Sequence, residues 1–265
     1  MYQFNYHRPT SLAEAEKLFS GADDPKFLGG GQTLIPTLKQ RLASPSDVID
    51  LAAIRDLAGI SVTGGAVTIG AATRHADVAA SADVRKAIPA LADLAGWIGD
   101  PLVRHRGTIG GSIANADPSA DYPAAAVALN ATIHTTKRTI AADNFFTGMF
   151  ETALETGEII TRIAFPMAEK AAYEKFRNPA SRYAVVGVFV AKTASGVRVA
   201  VTGAAPSVFR QTEMEAALAK SFTPDAVAGI KVSPDGLNAD LHATAEYRAH
   251  LVTVMAKRAV ARALA

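Results

Sequence analysis

The chain contains no cysteine among its 265 residues. That removes disulfides, a thiol nucleophile, cysteine-bound zinc, cysteine-ligated iron–sulfur clusters and a cysteinyl cofactor link from its own chemistry. Charge of one sign is also missing: 27 Lys and Arg against 25 Asp and Glu leave a formal +2 at pH 7. No segment concentrates the basic residues, so nothing points to nucleic acid. Long apolar runs are absent. The longest, "YAVVGVFVA", is far too short to span a bilayer. The opening "MYQFNYHRPTSLAEAEKL" lacks the apolar stretch of a secretory leader. The expected setting is cytoplasmic, with no membrane insertion. His7, His75, His105, His134, His242 and His250 are scattered without HExxH-like spacing, so no metal site is expected. Ser112 and Ser119 lie outside any G-x-S-x-G elbow, which leaves a hydrolase without support.

What is present is 49% apolar and 20% charged residues, a globular composition with enough material for a real core. Thr10 or Ser11 is placed to cap a short helix, followed by short strands at "PKFL" and "VIDL". "ISVTGGAVTIGAAT" reads as a hairpin turning at Gly64-Gly65. "ADVRKAIPALADLAGWIG" reads as helix broken at Pro89. A second hairpin is expected at "ATIHTTKRTIAA", with Lys137 and Arg138 near its tip. A strand ending at Pro166 follows, then two long strands around Ser195-Gly196. In the tail, Tyr247, Leu251, Val254 and Met255 share one helical face and predict a packed stripe. Strands and helices mix without regular βαβ alternation, which predicts an α+β architecture with a boundary near residues 167–171.

Two glycine loops carry the functional signal. "FLGGGQTLIPTLKQ" places three glycines between a strand and a helix start, where bare backbone can approach a ligand and amides can converge on an anion. It is neither a Walker A loop nor a G-x-G-x-x-G turn. Taken alone, a simple tight turn explains it equally well. "GTIGGSIANADPSAD" repeats the chemistry before another helix. Two such loops fit a dinucleotide whose pyrophosphate is held from both sides. Asp117 and Asp121 follow as candidate ribose acceptors or helix caps. Arg104, His105 and Arg106 precede the second loop and are candidate phosphate neighbours, or simply a solvated turn.

At these residues the sequence resembles a known family. "LGGGQTLIPTLKQRLASPSDVIDL", "VRHRGTIGGSIANADPSADYPAAAVAL", "APSVFRQTEMEAAL" and "ATAEYRAHLVTVMAKRAV" occur in the order found in FAD-binding flavoprotein subunits of the molybdenum hydroxylases. These include the medium subunit of aerobic carbon monoxide dehydrogenase and the FAD subunits of xanthine and aldehyde dehydrogenases. The resemblance spans essentially the whole chain. It implies an α+β, PCMH-type FAD-binding fold: two α/β subdomains (1–56 and 57–168) and a C-terminal α+β domain (169–265).

The resemblance also implies site residues. Gly29, Gly30, Gly31, Gln32 and Thr33 take the role of the first pyrophosphate loop, flanked by Leu28 and Leu34. Thr108, Ile109, Gly110, Gly111 and Ser112 take that of the second. Asp121 matches an acidic FAD contact. Ile98 and Ile160 match apolar neighbours of the cofactor, Arg177 a basic position near the flavin, and Tyr183 the segment passing the isoalloxazine ring. Gln32 stands where distant relatives have histidine, which implies non-covalent FAD.

By the same resemblance, substrate chemistry belongs to a large subunit with a molybdenum cofactor. Electrons reach FAD from [2Fe–2S] clusters in a small subunit and leave to NAD, a quinone or oxygen, in a dimer of heterotrimers. Two other readings remain open from the sequence: a self-sufficient PCMH-type oxidase, and a scaffold that has lost FAD.

Overall fold

The computed structural model describes residues 1–265. Three main sheets follow one another along the chain. The first is parallel, with β1 (Asn5–His7), β2 (Pro25–Leu28) and β3 (Asp47–Asp50) in the order β1-β3-β2. Parallel neighbours need crossovers. These are supplied by helices α1 (Leu12–Ser20) and α2 (Leu34–Lys39). Ser11 is the cap of α1: its hydroxyl accepts the Glu14 amide at 3.3 Å.

The second sheet is antiparallel. Strands β4 (Ile60–Thr63) and β5 (Ala66–Gly70) form the expected hairpin, with φ of 59° and 77° at Gly64 and Gly65. Six helices follow: α3 (His75–Ala80), α4 (Ala82–Ala87), α5 (Pro89–Gly96), α6 (Pro101–Arg104), α7 (Ile109–Asn115) and α8 (Tyr122–Ala128). Pro89 has no N–H to continue α4, so it opens α5 instead. Strands β6 (Thr132–Thr135) and β7 (Thr139–Ala141), a small ribbon of β8 (Phe146–Gly148) and β9 (Glu151–Thr152), and β10 (Ile160–Pro166) complete the unit. The order β4-β5-β10-β6-β7 inserts the last strand between the two hairpins.

The third sheet has β11 (Lys170–Arg177), β12 (Ala184–Thr193), β13 (Gly196–Thr202) and β14 (Phe209–Arg210) in sequential antiparallel order, followed by α9 (Thr212–Lys220), α10 (Pro224–Ala228) and α11 (Ala245–Leu264). Helix α11 covers one face, while α5 and α8 press on the other. Burial on both faces explains why β12 is apolar throughout rather than alternating. Val186, Val188 and Val190 join the core under α11. Phe189 and Ala191 point the other way, into the core shared with α5 and α8. The third sheet is thus fastened directly to the second part of the chain.

The stripe on α11 lies slightly off the expected face. Leu251 and Met255 are buried, but Tyr247 is exposed and meets Phe176 edge-on, and Val254 is half-buried. The packed face runs through Leu251, Val252, Met255, Ala256, Ala259 and Val260. Its first member is Arg248, whose charge hides the pattern from a hydropathy reading. Arg248 is buried because its guanidinium donates to the Val185 and Gly203 carbonyls and to Asp240.

Arg138, near the tip of the β6–β7 hairpin, grips the buried Glu158 carboxylate through Nε and Nη2, both at 3.2 Å. Thr135 Oγ1 and the Glu155 amide donate to the same group. Burial pushes this carboxyl up, but the donors together outweigh it and hold it at about 2. A depressed pKa stabilises the fold above the ordinary glutamate range, and that stability disappears as pH falls toward 2. Glu158→Gln is expected to cost ~1–3 kcal/mol at pH 7. In denaturant melts the gap from the unsubstituted chain should close as pH approaches 2; a gap independent of pH counts against this role. Phe189→Ala, at the junction of sheet and helices, should cost ~3–5 kcal/mol in the same assay.

Candidate functional site

A cavity of about 740 Å³ opens where the first loop, the second loop and the loop between β11 and β12 meet. That is within the size range of cofactor sites. Its wall includes Gly29, Gly30, Gly31, Gln32, Thr33, Leu34, Ile98, Thr108, Gly110, Gly111, Ser112, Asp121, Ile160 and Tyr183. Three expected residues do not line it. The Leu28 side chain packs beside Gly31. Ile109 is fully buried in the main core. Arg177 lays its guanidinium over the Trp97 ring, 4.6 Å from the centroid, with no acceptor for its donors in the chain.

The two loops differ in what they offer. In the first, the amides of Gly29, Gly30, Gly31, Gln32 and Thr33 donate to no atom of the chain. Five consecutive donors facing a cavity form an anion cradle. In the second, the Ile109 amide donates to Thr73 O, Gly110 to Ala71 O, Gly111 to Thr108 Oγ1 and Ser112 to Thr108 O. Four of its amides are thus engaged within the chain and hold α7 against the turn at residues 71–73, while the Thr108 amide has no partner and Thr108, Gly110, Gly111 and Ser112 line the cavity.

The glycines also serve a purpose other than the one expected. Only Gly31 has a left-handed φ, +72°. A Cβ on Gly30 would overlap the Arg106 carbonyl oxygen and sit 2.5 Å from Gly107 Cα. A Cβ on Gly110 would come within 2.5 Å of Ala71 Cβ. The bare backbone lets the two loops pack on each other as well as on a ligand.

Arg104, His105 and Arg106, candidates for phosphate neighbours or for a solvated turn, do not line the cavity. Arg104 donates to the Ile98 and Gly99 carbonyls, and His105 and Arg106 face solvent. Sequence reasoning missed the two cations that do line it: Lys26, paired with Asp24 at 2.8 Å, and Arg182. It also passed over His75. This imidazole is only 4% exposed and lines the wall. Burial, reinforced by the positive charge of Arg104, pulls its pKa down to about 4, so it is neutral near pH 7. No periodicity distinguishes His75 from a surface histidine; its burial depends on Gly107 lying against the ring.

Two carboxylates face the cavity beyond the second loop. Asp117 accepts the Ser119 amide at 2.8 Å, and burial raises its pKa. Asp121 begins α8 but makes no cap with its side chain. Both of its oxygens lie 2.9 Å from Lys175 Nζ, and the Tyr173 hydroxyl donates to Oδ1. One acceptor position, on Oδ2, has no partner in the chain, and Asp121 lines the cavity. Tyr183 reaches the rim on a loop organised by Asn178, whose Oδ1 accepts the Ala180 and Ser181 amides. Ile98 and Ile160 supply apolar wall.

A row of free amides, carboxylate acceptors and apolar wall in one cavity suits a molecule with both phosphate and ring portions. The known proteins that resemble this chain agree. Residues 2–168 match the FAD binding domain in molybdopterin dehydrogenase. The carbon monoxide dehydrogenase medium chain of Hydrogenophaga pseudoflava is 37% identical, with 97% of this chain and 96% of that one covered. The glyceraldehyde dehydrogenase medium chain of Sulfolobus acidocaldarius is 36% identical over 97% of each chain. A solved structure of the Hydrogenophaga carbon monoxide dehydrogenase superposes with a TM-score of 0.89, covering 99% of this chain and 97% of that one. Quinoline 2-oxidoreductase from Pseudomonas putida 86 superposes at 0.90 with 27% identity, covering 98% and 96%. Sequence, fold and cavity converge, and the chain belongs to the FAD-binding medium subunits of the molybdenum hydroxylases.

Proposed function

We propose that this cavity holds FAD non-covalently and that the chain relays electrons within a hydroxylase complex. The source is a small partner subunit with [2Fe–2S] clusters, and the destination an external acceptor such as NAD, a quinone or oxygen. A large partner subunit with the molybdenum cofactor carries the substrate chemistry, in a dimer of heterotrimers in the cytoplasm. The relatives' names as medium chains of dehydrogenases support this placement. The single observation that carries the cofactor reading is the unbroken row of unpartnered amides from Gly29 to Thr33 on the cavity wall.

When bound, FAD supplies the redox chemistry. The chain's own groups bind and orient it. The Gly29–Thr33 amides hold the pyrophosphate, with the second loop packed behind them. Asp117 and the open acceptor of Asp121 take hydroxyls. Ile98, Ile160 and Tyr183 border the ring system and exclude water. His75, the histidine on the wall, has Nδ1 buried without a partner and its ring against Gly107, an arrangement that favours packing over a covalent link. We also propose division of the chain at 56/57 and 168/169. The first sheet ends at Asp50, the second spans Ile60–Pro166 and the third begins at Lys170.

The purified chain, mixed with FAD and freed of excess, should show flavin absorption bands that acid releases into solution. A chain that stays colourless overturns the reading. Flavin reduction by a small substrate without any partner would point to the self-sufficient oxidase instead. Gly30→Ala should weaken FAD binding by at least roughly tenfold, because the added carbon forces the two loops apart. Unchanged affinity in that variant would remove the loop junction from the account.

A further inference from the structure

Three separate elements meet behind Asp121. From β11, Lys175 Nζ lies 2.9 Å from both carboxylate oxygens and 3.0 Å from the Trp97 carbonyl oxygen. Its side chain is fully buried. From the same strand and the same face, Tyr173 donates its hydroxyl to Asp121. On β12, the residue paired with Lys175 is Gly187, where any Cβ would collide with the Tyr173 hydroxyl. The glycine in the middle of an otherwise apolar strand keeps that hydroxyl on its carboxylate. From β13, Thr202 Oγ1 lies 2.6 Å from the Ala120 carbonyl oxygen, and the Gly203 amide donates to Pro118 O at 2.7 Å.

The third sheet therefore grips residues 118–121, of which Ala120 and Asp121 line the cavity, and Trp97 beside the lining residue Ile98. Stability alone does not require charge here, since a buried ion pair is often no more stabilising than apolar residues of the same shape. Asp121 lines the cavity with Lys175 buried behind it, where low polarisability lets a fixed charge act strongly on its surroundings. Burial drives the Asp121 carboxyl upward, and the ammonium of Lys175 is the main opposing influence.

Resting on the reading that the cavity holds FAD, we propose that Lys175 is a positioning residue that sets the flavin's reduction potential. It does so by fixing and compensating the Asp121 carboxylate on the cavity wall. An uncompensated negative charge beside the cofactor opposes the arrival of electrons and lowers the potential. An uncompensated positive charge raises it.

The test measures FAD affinity and flavin midpoint potential in the full chain and in three variants. Lys175→Met should lower the potential. Asp121→Asn should raise it. The double variant Asp121→Asn/Lys175→Met should return close to the original value, because both charges leave together. A purely structural role would weaken FAD binding in the single variants without shifts of opposite sign. Should Lys175→Met fail to fold, Tyr173→Phe keeps the ion pair and removes only the hydroxyl that shares the carboxylate's charge. It must then lower the potential while Asp121→Asn raises it. Shifts of the same sign, or no shifts in variants that retain FAD, overturn the proposal. Failure of the unsubstituted chain to bind FAD is a different result: it removes the cofactor reading and the proposal falls with it.

Discussion

The backbone of Gly30 rests on the Arg106–Gly107 peptide with no room for a single extra carbon. This contact joins two parts of the chain more than seventy residues apart in sequence, and the cavity depends on it. It sets the second loop against the first, and the first loop's amides have no partner in the chain while their residues line the cavity. The second loop's amides from Ile109 to Ser112 are engaged along residues 71–73 and at the Thr108 cap, which fastens that loop to the turn after β5. A glycine here is a condition of assembly as much as of binding.

The same economy of space recurs behind Asp121. The third sheet has both faces covered and shares its core with α5 and α8, so its strands are fixed relative to the second glycine loop. Lys175 and Tyr173 project from that fixed strand onto the wall. A carboxylate held by two donors on a rigid strand keeps its position whether or not a ligand is present. Preorganisation of this kind matters most where a charge must act on a neighbour without reorganising.

Much of this was legible in the sequence, and the limits have physical causes. Both hairpins, the break at Pro89 and the two long strands at Ser195-Gly196 follow from local turn and backbone rules, and local rules suffice to place them. The two glycine loops were visible as candidate binding loops, and both line the one cavity. What they do differently was not, because the pairing of a backbone amide depends on the strand that arrives beside it. Ile109 shows the difference: its place in the second loop motif suggests contact, yet its side chain fills the core. Arg177 was expected near the cofactor but stacks on Trp97, a contact between segments eighty residues apart. Lys175, by contrast, looks like an ordinary alternating polar residue in an edge strand. Only the tertiary meeting with Asp121 reveals its burial. Arg248 misled the reading of α11 for the same reason.

The electrostatics of the cavity follow from these placements. The proposed site for a doubly negative pyrophosphate has few cations on its wall. Lys26 is already paired with Asp24, Arg104 is turned onto backbone carbonyls, His75 is kept neutral by burial, and Arg182 lines the cavity without an ion-pair partner. Beside Arg182, oriented peptide dipoles at Gly29–Thr33 offer partial positive charge without net charge. Dipoles fixed in a loop act over short distances and demand correct geometry, whereas mobile lysines act at long range and accept any anion. A chain with a formal charge of only +2 and a row of free backbone donors lacks the diffuse positive field that gathers anions from solution.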